Sequence, residues 1–278
     1  MPVVAVTKKE FLDAVRSNVL LALTLAFAVW AGFLAGIQWI PDPYRDSGVA
    51  TSTLVLLNSM RQSMLFFVPL IGLGVGYGAV VTERESGRIR LALALPNARR
   101  DVVLGKFLGR SAVLGVAILG GFVPAAVIGV ATYASFDVGL FAVYSLLTVA
   151  YGAVYVAVGV GVSATVDSKR RALGATAGLY ALFLLLWDVG LYALQLLTVG
   201  AAVPEGGLPE WIEFLGVCNP STAFVFAVRS VLPVYEELTF YPDSSAWYLQ
   251  DWIGIPVLVL WTTVPLAVGD ARFRRVDV

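Results

Sequence analysis

Glu83–Arg110 reads ERESGRIRLALALPNARRDVVLGKFLGR and lies between two long apolar runs, Met64–Val81 and Ser111–Tyr133. The stretch is short, and it carries seven of the nineteen Lys and Arg residues of the chain. Short basic segments between apolar spans are retained on the cytoplasmic side of a membrane. The stretch therefore predicts a membrane protein with a basic loop on the inner face.

The composition of the whole chain agrees with a membrane protein. The 278 residues are 59% hydrophobic and 14% charged, with a mean hydropathy of +0.83. A soluble domain carries about a quarter charged residues. There is no His and only one Cys, which excludes His catalysis, an internal disulfide and a Cys metal cluster. The formal net charge is zero, so no overall field favours nucleic acid.

The apolar runs predict an all-α fold with six transmembrane helices in a single domain over residues 1–278. About 20 apolar residues cross a bilayer as a helix. Six runs have that character: Val19–Ile40, Met64–Val81, Ser111–Tyr133, Val138–Thr165, Ala172–Val199 and Trp252–Val268. Residues 83–110 then form a cytoplasmic loop, and residues 200–251 form an extracellular segment.

The basic residues set the predicted orientation. Sixteen of the nineteen fall on one side if all six runs cross. They are Lys8, Lys9, Arg16, Arg84, Arg88, Arg90, Arg99, Arg100, Lys106, Arg110, Lys169, Arg170, Arg171, Arg272, Arg274 and Arg275. The positive-inside rule places both termini in the cytoplasm. The setting we predict is the plasma membrane of a prokaryote.

Two segments outside the spans have apolar helical patterns. Thr7-Lys8-Lys9-Glu10 has the pattern of a capping box, and the residues after it predict an interfacial helix on the inner leaflet. A plain extension of the first span is the alternative. On the outer side, Trp211–Val217 and Thr222–Val231 predict short helices that rest in or dip into the outer leaflet.

Small residues and one acid stand out within the spans. The pairs Gly72/Gly76, Gly74/Gly78 and Gly174/Gly178 predict close helix packing, rather than the ion filter that GLGVGYG superficially suggests. Asp188 is a possible intramembrane polar site for a proton or substrate. The alternative is a hydrogen bond from Tyr192 or Trp187 to Asp188 near the outer interface, and we favour this structural role.

The stretch 83–110 resembles the signature of ABC-2 type transporter permeases. Eight residues occupy matching places: Glu83, Glu85, Gly87, Leu95, Pro96, Arg99, Gly105 and Lys106. Arg88 stands where the family more often has Thr. In that family the loop is a coupling helix that docks on a separate ATP-binding subunit. The resemblance implies the same role here for those residues together with Leu93. The alternative is an ordinary basic loop that binds no partner.

The resemblance implies a permease that moves a substrate, mostly by export, with ATP and Mg bound by a cytoplasmic ATPase subunit. A second permease protomer and the lipid bilayer are the other expected partners, and nucleic acid is not. Gly105-Lys106 lacks the earlier Gly and the following Ser or Thr of a phosphate-binding loop, so no ATPase activity is expected of this chain. It would not be an enzyme.

Alternatives remain at this point. The permeases that serve maturation of nitrous oxide reductase have a similar layout, so a subunit serving an exported metalloenzyme is the runner-up. An intramembrane enzyme would need convergent polar groups in the spans. A secondary transporter would show repeats and broken spans.

Cys218 gives a direct test of the orientation, because it is the only Cys and lies in the outer segment. A membrane-impermeant maleimide should label it on intact cells. Labelling that appears only after permeabilisation, while denatured protein reacts fully, would count against the orientation. A Cys introduced next to Arg170 should behave in the opposite way.

Overall fold

The computed structural model describes residues 2–39, 51–87, 89, 98–203, 207–239, 241, 244 and 246–275. Over these residues the chain is helical, and the β contact is an isolated parallel bridge between Ser52 and Ser135. The α-helices are α1 (Pro2–Arg16), α2 (Val19–Trp39), α3 (Thr53–Gly76), α4 (Val81–Glu85), α5 (Arg99–Thr132), α6 (Val138–Thr165), α7 (Lys169–Ala181), α8 (Trp187–Thr198), α9 (Glu210–Val217), α10 (Pro220–Val231) and α11 (Gly254–Arg274). A π-helical segment, Leu182–Leu186, joins α7 to α8.

Among the described residues, six helical stretches are long and apolar enough to cross a membrane, which confirms the predicted all-α polytopic fold. The second and third start earlier than the apolar runs indicate, at Thr53 and Arg99. Polar residues such as Asn58 and Arg61 interrupt the apolar run without interrupting the helix. Helix propensity and the cap at Ser52, whose hydroxyl accepts from the Val55 N–H at 3.4 Å, extend the second helix beyond its apolar part.

The N-terminal helix α1 is separate from the first span, as predicted, because Asn18 adopts a left-handed φ of 60° at the break. The predicted capping box is wrong: α1 begins at Pro2, so Thr7 and Glu10 lie within the helix. Thr7 Oγ1 donates to the carbonyl of Val3 at 2.9 Å instead. The position of α1 at the membrane interface stays a prediction.

The fourth span, α6, is the most buried of the six and forms the centre of the bundle. Gly72 and Gly76 of α3 pack directly on it: a Cβ at Gly76 would lie 2.8 Å from the Cα of Gly159. This confirms the predicted close packing of that pair. Gly74, Gly174 and Gly178 have nothing within 4 Å of a built Cβ, so they make no close helix contact within this chain and their packing role stays a prediction.

The two helices that follow the fifth span, α9 and α10, match the two predicted short helices and meet at a bend of 93°. Their position at the outer leaflet stays a prediction. Three side chains hold the bend in place. Asn219 donates to the carbonyl of Phe183 at 2.7 Å, and the Trp261 indole donates to the carbonyl of Cys218 at 2.9 Å. The hydroxyl of Ser221 is shared by Tyr151 and Tyr155 at 2.8 and 2.9 Å.

The α3–α6 contact predicts different outcomes for two neighbouring glycines. Gly76→Val should lower the midpoint of thermal unfolding in detergent, because the added methyl groups meet backbone; overpacking of this kind costs ~1–3 kcal/mol. Gly74→Val is the matched control and should change the midpoint little, since its side chain would enter open space. Equal midpoints for the two variants would contradict the packing described here.

Candidate coupling site at the basic end of the bundle

The end of the bundle that carries the fourteen of these basic residues that the structure describes is called the basic end below, and the opposite end the acidic end. At the basic end α1 crosses α5 at very short range, because Gly105 and Gly109 leave room for it. A Cβ at Gly105 would lie 2.5 Å from Val6 Cβ, and one at Gly109 would lie 2.7 Å from Glu10 Cβ. Both glycines are therefore needed for the backbones to approach this closely.

A buried ion network fixes the crossing. Lys106 Nζ of α5 lies 2.7 Å from Glu10 Oε1 of α1 and 2.9 Å from Glu83 Oε1 of α4. The Lys106 side chain is 2% exposed and that of Glu10 is 9% exposed. Lys9 Nζ reaches Glu83 at 3.1 Å, and Arg110 Nε reaches Glu10 Oε2 at 2.9 Å. One lysine thus joins three helices, and we call these five residues the clamp.

The charges of the clamp decide the pKa of Glu10. Burial alone would raise the pKa of this carboxyl, but the adjacent Lys106 and Arg110 charges outweigh burial and lower the pKa below its ordinary value of 4.5. Burial opposes the charge on Lys9 as well, yet Glu83 raises the pKa of that lysine. Because the pKa of Glu10 is lowered on folding, its contribution to stability is present above pH 4.5 and is lost only as the pH falls through the lowered value.

Other residues of the stretch tie the loop to the remaining segments of the basic end. Glu85 Oε1 accepts from the backbone N–H of Lys169 at 2.8 Å, at the start of α7. Arg84 donates to the carbonyl of Val166 and to Asp167 Oδ1, both at 3.2 Å. The loop between the second and third spans is therefore held against the loop between the fourth and fifth.

Arg99 holds the last span. Its Nη1 donates to the carbonyl of Phe273 at 2.7 Å and to that of Arg274 at 2.9 Å. Its guanidinium also lies over the Phe273 ring, 5.6 Å from the centroid. These contacts cap the C-terminal carbonyls of α11, where a positive charge is favourable. The basic end is thereby tied together from α1 to α11.

The middle of the predicted loop is only partly described. Gly87 has a φ of 71°, a conformation that favours glycine, and it starts the turn out of α4. Ile89 is fully buried in the hydrophobic core, so it is not available to a partner. Leu93, Leu95 and Pro96 lie outside the described residues, and their part in docking stays a prediction.

Sequence reasoning placed Gly105 and Lys106 among the coupling residues. The structure places Lys106 in the clamp and Gly105 beside it, at the crossing of α1 and α5. Lys106 is too buried to touch a second protein directly in this arrangement. Glu10, Gly109 and Arg110 were missed as site residues. The sequence does contain an acid, Glu10, near the apolar face of α1, and a Gly-Lys-x-x-Gly-Arg run at the start of α5. Assigning Glu10 to a capping box left no reason to pair it with that run.

Asp188, the possible intramembrane polar site, lies at the other end of the bundle at the start of α8. Trp187 donates its indole N–H to the carbonyl of Leu215 at 3.0 Å, so the suggested bond from Trp187 to Asp188 does not form. Asp188 and Tyr192 instead line the same cavity. Within the described residues no group of three or more His, Cys, Asp or Glu is placed to hold a metal ion.

Six candidate spans, a separate N-terminal helix and the clamp between them define a polytopic membrane protein. The chain belongs to the ABC-2 family of transporter proteins, whose family model matches residues 4–278. It is 32% identical to a probable ABC transporter permease protein NosY of Pseudomonas aeruginosa over 286 residues, covering 99% of each chain. A probable ABC transporter permease protein NosY of Stutzerimonas stutzeri is 30% identical over 271 residues, covering 92% of this chain and 95% of the relative.

The clamp predicts that Lys106 matters far more than Lys9, although both contact Glu83. Lys106→Ala leaves two carboxylates without their buried partner, which costs ~3–5 kcal/mol. Lys9→Ala removes a pair whose lysine is 58% exposed, which costs at most about 1 kcal/mol. Hydrogen exchange of the α1 amides should therefore rise strongly in Lys106→Ala and little in Lys9→Ala. Equal protection of α1 in the two variants would show that Lys106 does not hold the helix.

Proposed function

We propose that this chain is the membrane permease subunit of an ABC exporter, driven by ATP hydrolysed on a separate cytoplasmic ATPase. The observation that carries the proposal is the clamp. The clamp anchors the stretch 83–110 near both of its ends. Glu83 and Lys106 are paired with each other, and Lys106 is also paired with Glu10 of α1. A loop anchored in this way can transmit a push from a docked protein to the spans, because its ends cannot give way separately.

The basic end faces the cytoplasm in this proposal, with both termini on that side. The support is the positive-inside rule applied to six crossing helices. The ATPase then meets the loop 83–110 from the cytoplasm of a prokaryotic cell. Its approach brings the residues between Gly87 and Arg99, with Leu93, Leu95 and Pro96, against the docking groove of the ATPase.

Movement of the loop would spread through the contacts described above. Glu85 passes displacement to the start of α7, and Arg99 passes it to the end of α11. Closely packed helices move as rigid bodies rather than deforming. ATP-driven closure of two ATPase subunits would in this way shift the permease between inward-facing and outward-facing arrangements.

A second permease protomer completes the proposed transporter, since each ATPase of a pair needs a loop to contact. The fifth span, formed by α7, the π-helical segment and α8, is the least buried of the six within this chain. Gly174 and Gly178 on it face open space. Small residues on an exposed span favour close approach of another helix, and we propose a homodimer that uses this surface.

A second function within the same family is assistance to an exported metalloenzyme rather than bulk transport. It is supported by the similarity in layout to permeases that serve nitrous oxide reductase maturation. Both functions use the same loop and the same ATPase. Deletion of the chain would separate them: loss of activity of one exported metalloenzyme, with all other export intact, favours the maturation role.

Docking is tested by a change in the apolar part of the loop. Leu93→Asp should abolish co-purification of the ATPase with the tagged permease and its stimulation in liposomes, since burial of one leucine is worth roughly 1.5–3 kcal/mol. Arg100→Ala removes an exposed charge from the same loop and should weaken the association only slightly. Arg99→Ala should release less ATPase than Leu93→Asp, because Arg99 is bonded within the chain.

A folded Leu93→Asp protein that still binds and stimulates the ATPase like wild type would overturn the docking assignment. The stretch would then be only a basic connector between two spans. Hydrogen exchange of α1 provides the check on folding, because an intact clamp keeps that helix protected whether or not the ATPase is bound.

A further inference from the structure

A cavity of about 330 Å³ lies at the acidic end, between α8 and the two short helices α9 and α10. Its volume falls within the range of small-molecule sites, ~300–1,000 Å³. Asp188 and Glu213 line it together with uncharged residues, and none of its described lining residues is Lys or Arg. The cavity is separate from the clamp and takes no part in the coupling proposed above.

The chemistry of the lining is amphipathic and negative. Apolar side chains such as Leu191, Ile212 and Val217 form one part of it, and the two carboxylates form another. Among the described residues neither carboxylate is engaged in an ion pair, so their charges are not balanced by a neighbour in the cavity. Asp188 is exposed and Glu213 is half-buried, so both carboxylates are open to a cation that enters the cavity.

Two cations act on Tyr241 of the cavity wall, Arg61 of α3 and Arg229, and neither lines the cavity. Arg229 lies over the rings of Phe226 and Tyr241, 5.6 and 6.0 Å from their centroids, and those rings line the cavity. Its guanidinium is bonded to Asp251 at 3.1 Å and to Glu236 at 3.4 Å, in a different pocket. Arg229 therefore supports the wall of the cavity and does not neutralise its carboxylates.

The local fold presents the carboxylate of α8 to this space. The π-helical segment Leu182–Leu186 inserts one residue per turn just before Asp188, and such segments are frequent at functional sites. The carbonyl of Phe183 inside the segment accepts from Asn219, and Trp187 donates to Leu215. Both bonds hold α8 against α9 and α10, so the cavity is built into the fold.

The depth of the cavity points to an occupant from the membrane surface. Asp188 follows Lys169 by nineteen residues, or ~28 Å of helix at 1.5 Å per residue. The hydrocarbon core is about 30 Å thick. With Lys169 at the inner surface, Asp188 lies at the level of the outer headgroups, where a molecule with a charged head and an apolar tail would meet the cavity.

We propose that this cavity binds an amphiphilic organic cation, with an ammonium group against Asp188 and Glu213 and an apolar tail along Leu191, Ile212 and Val217. The ammonium balances the two carboxylates, and the tail matches the apolar part of the lining. An anionic or neutral amphiphile of the same tail length lacks the first of these interactions. Binding requires only the permease chain, so it stands or falls independently of ATPase docking.

The test is equilibrium binding of radiolabelled dodecyltrimethylammonium to the full permease in dodecyl maltoside, with binding to empty micelles subtracted. Saturable binding is expected, and dodecyl sulfate should not compete. The Asp188→Asn, Glu213→Gln double variant should bind at least tenfold more weakly. Glu210→Gln is the matched control, because Glu210 lies on α9 outside the cavity lining and accepts from Tyr248 at 2.6 Å. It should stay within twofold of wild type.

A second pair of variants tests the space rather than the charge. Gly216→Leu should fill the cavity and weaken binding at least tenfold, while a Cβ there lies an ordinary 3.6 Å from Leu191 Cδ1, so the fold should tolerate it. Gly190→Leu, on α8 but facing open space, should leave binding unchanged. This pair decides the outcome if the charge variant fails to fold.

The absence of saturable binding to the wild type, or wild-type binding by both the charge variant and Gly216→Leu, would overturn the proposal. An added arm distinguishes two sources of the ammonium. Displacement of the probe by phosphatidylethanolamine, and not by phosphatidylglycerol, identifies an amine lipid of the membrane as the occupant. Binding that neither lipid displaces identifies a cationic amphiphile from outside the membrane.

Discussion

The arrangement of the basic end depends on Lys106, a buried lysine held between two carboxylates from different helices. An ammonium that is 2% exposed is tolerated only when its charge is balanced and its donors are used. Glu10 and Glu83 meet both needs, so α1, α4 and α5 must lie together for any of the three charges to be accommodated. The position of the loop after Glu83 follows from this condition, because the loop starts at one member of the clamp and returns to α5 shortly before the lysine.

The glycines of α5 and α3 make the clamp and the core possible by the same means. Gly105 and Gly109 bring α1 within reach of Lys106, and Gly72 and Gly76 bring α3 onto α6. Helices at such short range interlock backbone against side chain, which leaves little freedom for sliding. When a bound protein pushes on the bundle, whole helices move rather than single side chains. The helices joined by these close contacts move together.

The number of spans and the separate N-terminal helix could be predicted from the sequence, because both depend on local hydropathy and charge. The true start of the second helix could not be, since Asn58 and Arg61 are polar residues in a segment that remains helical. Nor could the role of Lys106: a Gly-Lys pair in a basic loop looks the same whether the lysine faces a partner or is buried against Glu10. The pairing spans 96 positions of sequence and depends on the fold.

The glycine pairs show the same limit from another side. Gly72/Gly76 and Gly174/Gly178 have equal spacing, yet the first pair packs on α6 and the second faces open space. Spacing predicts that two glycines share a helix face, but which face the bundle covers is decided by all six helices at once. Residues of this kind are informative only when the neighbouring helix is known.

The fifth span connects the two ends of the molecule with few internal restraints. At the basic end Glu85 holds its first residue, Lys169. At the acidic end Trp187 donates to Leu215 of α9, and the carbonyl of Phe183 accepts from Asn219 between α9 and α10. Between these points the span is little buried within the chain. A helix that is restrained at both ends moves when either end is displaced. The stability of its middle part depends on the lipid or protein that covers it. The loop before α7 and the cavity beside α8 are therefore attached to the two ends of one span.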